Sequence, residues 1–68
     1  MEPHLKSERQ LLLRIRGVIE ATSLSRSQIY RLMNRGDFPR SFKISEGVTC
    51  WVASDIDRWV KERTMVAA

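Results

Sequence analysis

Among 68 residues there is one cysteine, Cys50, and one histidine, His4. No Cys and His pair can activate a nucleophile, and no Gly pattern of the kind that cradles phosphates accompanies a Lys. Two such residues cannot complete a zinc site of four protein ligands, and a lone Cys cannot close an internal disulfide. The carboxylates Asp55 and Asp57 sit where a helix start favours negative charge, so they read as structural rather than as an acid and base pair. These absences argue against an enzyme.

What remains chemically active is a set of donors: Arg26, Ser27, Tyr30, Arg31, Asn34 and Arg35, followed by Arg40 and Lys43. Guanidinium groups grip phosphates or the acceptor edge of guanine, and Asn suits adenine. Ser and Tyr reach phosphate oxygens. The chemistry on offer is recognition of a polyanion.

Those donors need a helix to carry them. Ser25 is a favourable N-cap, and Gln28 three residues on completes a capping box. Leu24 before the cap can staple onto Ile29. The spacing predicts a helix over residues 25–35, with Ile29, Leu32 and Met33 inward and Arg26, Ser27, Tyr30, Arg31 and Asn34 in the opposite sector. Gly36 supplies a stop and Pro39 prevents continuation. Upstream, residues 12–16 read as a short extended segment with Leu13 and Ile15 on one side. Residues 17–22 read as a short helix with Val18 and Ala21 inward, and Ser23 and Leu24 form the turn. Two helical segments joined by a tight turn form a helix-turn-helix, whose second helix enters a major groove.

Downstream, residues 42–44 and 48–51 read as two strands around Glu46 and Gly47, although a four-residue loop over 45–48 stays open. With the two-residue loop, Phe42 faces Trp51 and Ile44 faces Thr49 on one side. Lys43, Ser45, Val48 and Cys50 then point outward. This basic hairpin can act as a wing, with Arg35, Arg40 and Lys43 supplying phosphate contacts. Ser54 caps a last helix, whose stripe is Ile56, Trp59 and Val60 and whose Asp57 and Lys61 form an i,i+4 pair.

The composition agrees with this reading. Twelve Lys and Arg against eight Asp and Glu give a net charge of +4 and a pI near 10.0, which calls for an acidic partner. At 43% hydrophobic and 29% charged, the chain has the makeup of a globular domain. The length allows one small domain over residues 11–64, flanked by a flexible polar tail over 1–10 and a frayed end over 65–68. A domain this small buries only ~60% of the surface its unfolded chain exposes. No apolar run exceeds four residues, too few to span a bilayer or form the core of a signal peptide. That reading, with the unpaired cysteine, predicts a cytoplasmic protein, nucleoid-associated when bound. His4 reads as inert and Cys50 as a small ribbon residue. Trp51 and Trp59 read as core.

The run Leu24-Ser25-Arg26-Ser27-Gln28-Ile29-Tyr30-Arg31-Leu32, then Gly36-Asp37-Phe38-Pro39, then Trp51 with Asp55-Ile56 and Trp59, resembles the AlpA family of prophage regulators. That family is related to MerR-like winged helix-turn-helix domains and to phage excisionases. The resemblance implies a small α+β winged helix-turn-helix with a short β-hairpin wing and a C-terminal helix. It implies a sequence-specific regulator of transcription in a prophage or integrated element, with no cofactor and with double-stranded DNA as partner. The chain departs from the family pattern at Ser23, where a turn Gly is usual, at Gly47, where the hairpin tip is often basic, and at Ser45, which replaces a common Gly. The alternative within the same class is an excisionase acting beside an integrase. A protein-interaction module binding an acidic partner is a second class. One recognition helix reads few base pairs, so self-association on DNA is expected, through the Val48 and Cys50 side of the ribbon or the C-terminal end. Integrase and RNA polymerase are the protein partners implied.

Overall fold

A computed structural model describes residues 10–67 of the chain. Residues 1–9, where the polar tail and His4 were expected, lie outside the described range. The elements run β1 (Leu12–Leu13), α1 (Ile15–Thr22), α2 (Arg26–Asn34), β2 (Phe42–Ser45), β3 (Val48–Val52) and α3 (Ala53–Ala67). Three helices and a three-stranded antiparallel sheet of order β1, β3, β2 make a small α+β fold compatible with a winged helix-turn-helix.

The first extended segment is shorter than the sequence suggests. Only Leu12 and Leu13 pair, with Val52 and Trp51, and Ile15 already begins α1. A helix over Ile15–Thr22 places Ile15, Val18, Ile19 and Thr22 on one stripe. Ala21 lies about 110° from the middle of that stripe at the helical period. Val18 is accordingly buried and Ala21 exposed, which corrects the expected inward Ala21. Gly17 lies against β1: a Cβ built there would stand 3.2 Å from Leu13 Cδ2, so any larger residue would require the Leu13 side chain to give way by a few tenths of an ångström.

The turn and α2 follow the sequence. Ser23 takes the left-handed conformation at φ 64° and donates its N–H to the Ile19 carbonyl at 2.8 Å. Ser25 Oγ accepts from the Gln28 N–H at 3.1 Å, and Gln28 Oε1 accepts from the Ser25 N–H at 2.9 Å. Both halves of the capping box therefore form. At the far end Gly36, φ 78°, donates to the Met33 carbonyl, and Asp37 donates to that of Leu32. These two bonds are a Schellman closure, which requires the left-handed residue that glycine supplies without strain.

The ribbon departs from expectation. Ser45 pairs with Val48, so the loop is the two residues Glu46 and Gly47. Beyond it the register slips: Lys43 pairs with Thr49 and Phe42 with Cys50, with Ile44 between them unpaired. An extra residue in one strand is a β-bulge, and it shifts every later side chain by one position. Phe42 and Ile44 are consequently 40% and 52% exposed rather than in the core, while Cys50, expected outside, is 5% exposed. The Val48 and Cys50 surface proposed for self-association is thus unavailable at Cys50. β3 is the central strand, flanked by β1 and β2.

The core gathers Val18, Ile29, Phe38, Trp51 and Ile56, with Leu13, Leu24, Leu32, Met33, Trp59 and Val60 packed around it. Helix α3 begins at Ala53, whose N–H donates to the Leu11 carbonyl at 2.8 Å, so Ser54 lies inside the helix and does not cap it. The helix runs on to Ala67, past Met65, where fraying was expected. Lys61 and Arg63 are therefore mid-helix and no basic residue occupies the last turn.

Candidate nucleic-acid interface

Helix α2 turns its polar residues to the surface because Ile29, Leu32 and Met33 tie the other side to the core. Ser27, Arg31, Asn34 and Arg35 are exposed along it. The eight predicted residues do not form one uniform surface. Ser27, Arg31 and Asn34 occupy the middle of the outward sector, and Ser27 Oγ lies 3.3 Å from the capping hydroxyl of Ser25.

Arg26 is placed differently. At the helical period it stands about 60° from Ile29, three residues on, and so on the flank rather than opposite the core. It lines a groove with Arg14, Ile15, Arg16, Ile19 and Glu20 of the preceding segment. Tyr30 is on the flank as well. Its ring meets the ring of Trp51 edge-on, centroids 6.3 Å apart at 64°, and it remains 40% exposed. The side chain thus packs on Trp51 through one edge of its ring while the rest of it stays on the surface.

Arg35 Nη2 lies 3.2 Å from Asp37 Oδ2, an exposed ion pair that holds the guanidinium at the end of α2. Arg40 is exposed on the connection into the ribbon and Lys43 on edge strand β2. Sequence reasoning missed Arg14 and Arg16. The signal was their position: they precede and open α1, where no carboxylate stands in the first turn and Arg14 makes no side-chain cap.

Two ion pairs form along α3. Asp55 and Arg58 approach to 3.8 Å and Asp57 and Lys61 to 3.2 Å, the latter at the predicted i,i+4 spacing. Among the described residues no group of three or more His, Cys, Asp and Glu side chains is placed to hold a metal. Among them, too, no helix is long and apolar enough to cross a membrane. The surface thus offers guanidinium, amide and hydroxyl donors on the exposed side of α2, a donor set suited to phosphate and base edges.

Comparison with known proteins bears on this surface. Residues 11–64 match the family profile of the prophage CP4-57 regulatory protein (AlpA). Over 61 residues the chain is 33% identical to ORF88 of Enterobacteria phage P4, an uncharacterized protein, covering 90% of this chain and 67% of that one. No solved structure matches significantly.

Proposed function

This chain belongs to the AlpA family of prophage regulatory proteins, and on that premise we propose that it binds double-stranded DNA sequence-specifically and regulates transcription from a prophage or integrated element. Helix α2 is the recognition helix. One observation carries the reading: a helix with a complete capping box and Schellman closure is held rigid on the core while its outward side is left to Ser27, Arg31 and Asn34. A rigid helix loses little freedom on entering a groove, and these side chains complement base edges and phosphates. Arg40 and Lys43 of the wing face the backbone beside it, and Arg35 reaches a phosphate from the C-terminal end of α2. The protein works by binding rather than catalysis, in the cytoplasm, without a cofactor.

A single module of this size buries roughly 600 to 1,000 Å² on DNA. Tight regulation therefore requires two half-sites, occupied cooperatively by a chain that is monomeric when free. Fluorescence anisotropy of the full chain on a duplex enriched from a random pool, and on an unselected duplex, tests the reading across a salt series. The expected result is salt-dependent binding to both, at least tenfold tighter on the enriched duplex. Equal affinity for both sequences would remove specific regulation. Bending of an attachment-site duplex with cooperative loading beside integrase would redirect the proposal to an excisionase. Binding to an acidic protein with no binding to DNA would replace it with an interaction module.

A further inference from the structure

Resting on that reading, we infer that Arg14, Arg16 and Arg26 form a backbone anchor that grips the DNA phosphates beside the recognition helix, and that Arg26 is not a base reader. Three arginines from two separate elements line one groove together with Ile15 and Ile19, and the only carboxylate in its lining is that of Glu20. The convergence is tertiary. The turn at Ser23 folds the start of α2 back against α1, which brings Arg26 beside residues ten and twelve positions earlier in the chain.

Position also decides what Arg26 can reach. The middle of the outward side of α2, around Ser27 and Arg31, is the part that enters a groove most deeply. Arg26 sits off that line, on the flank shared with α1, where an approaching duplex presents its backbone. Guanidinium pairs with phosphate in a bidentate manner, and three of them around a half-apolar trough suit a phosphodiester, which carries both charge and sugar carbon. Arg14 and Arg16 oppose the positive end of the α1 dipole, an unfavourable placement in the free protein that a bound anion reverses.

The anchor makes sequence-independent contacts, which separates it from the recognition helix. Binding of the full chain is measured by anisotropy on an enriched and an unselected duplex between about 0.05 and 0.3 M salt. All three arginines are on the surface, and circular dichroism verifies folding of each variant. Arg14→Ala with Arg16→Ala is expected to lower affinity roughly tenfold or more on both duplexes. It should also reduce the slope of log K against log salt by about 2, one per lost phosphate contact. Arg26→Ala should lower both affinities by the same factor. Arg58→Ala, which removes equal charge from α3, should change either by less than about twofold. Arg31→Ala reports on the recognition reading separately and should weaken only the enriched duplex.

Unchanged affinity and slope in the double variant, with Arg31→Ala still selective, overturns the anchor and leaves the recognition helix standing. Loss at Arg26→Ala confined to the enriched duplex returns Arg26 to base reading. If none of the variants affects DNA binding, the functional proposal falls with the anchor. Lost retention on immobilised poly-glutamate with intact DNA binding assigns the patch to an acidic protein instead.

Discussion

Trp59 Nε1 donates a hydrogen bond to the backbone carbonyl of Asp37 at 2.9 Å, joining α3 to the segment that leaves α2. Arg63 donates to the same oxygen at 3.3 Å and lies 4.5 Å over the Trp59 ring, while Phe38 packs edge-on to that ring at 4.8 Å. The carboxylate of Asp37 meanwhile holds Arg35. One residue thus ties the C-terminal end of α2 to the middle of α3. Trp59→Phe keeps an aromatic ring against Phe38 but deletes the donor, and is expected to cost about 1 kcal/mol. Trp59→Ala also removes the ring and is expected to cost about 3 kcal/mol or more. Urea titration of the two variants distinguishes these costs; equal losses would mean that the hydrogen bond contributes nothing beyond the ring.

Ser23 holds φ 64° in the turn between α1 and α2. A side chain in the left-handed region costs about 1 kcal/mol, and glycine avoids that cost while losing more freedom on folding. Because Ser23 is exposed and its side chain makes no hydrogen bond among the described residues, Ser23→Gly is expected to stabilise the domain by a few tenths to about 1 kcal/mol. A lowered midpoint in thermal unfolding would contradict the strain assigned to this turn.

Trp51 is completely buried, and its Nε1 finds no hydrogen-bond partner among the described residues. Its contribution is therefore volume and contact with Tyr30 and the core rather than polarity. Trp51→Ala should cost ~3 to 5 kcal/mol, comparable to the whole stability of so small a fold, and leave the chain unfolded at room temperature. A cooperatively folded Trp51→Ala protein that had lost only DNA binding would place the ring at the interface instead.

Asp37→Asn removes the partner of Arg35 while leaving the carbonyl that Trp59 and Arg63 use. The pair is exposed, so stability should change by less than about 1 kcal/mol. With Arg35 released and net charge raised by one, DNA affinity should increase about two- to fivefold at low salt, with the gain shrinking as salt rises. Weaker binding would show that Asp37 positions Arg35 for contact rather than restraining it.

Much of this molecule is written locally. The capping box at Ser25 and Gln28, the stop at Gly36, the left-handed Ser23, the stripe Ile56, Trp59 and Val60 and the Asp57 and Lys61 pair each depend on residues within one or two turns of each other. Short-range sterics and hydrogen bonding decide such features before any tertiary contact exists. The same holds for the donor set of α2, whose residue types alone point to a polyanion.

Tertiary structure decided which side of each element is inside. A bulge at Ile44 leaves no mark in an alternating pattern, yet it exchanged Phe42 and Ile44 for Cys50. Because β3 lies between two strands, its burial does not follow simple alternation. The start of α3 was set by the carbonyl of Leu11, remote in sequence, and not by the hydroxyl of Ser54. The grouping of Arg14, Arg16 and Arg26 arose only when α1 and α2 packed, because a groove between two helices belongs to neither sequence segment alone. Local chemistry thus named the helices and their donors, whereas long-range packing fixed the ribbon register and the neighbours of each arginine, since both depend on contacts between segments far apart in the chain.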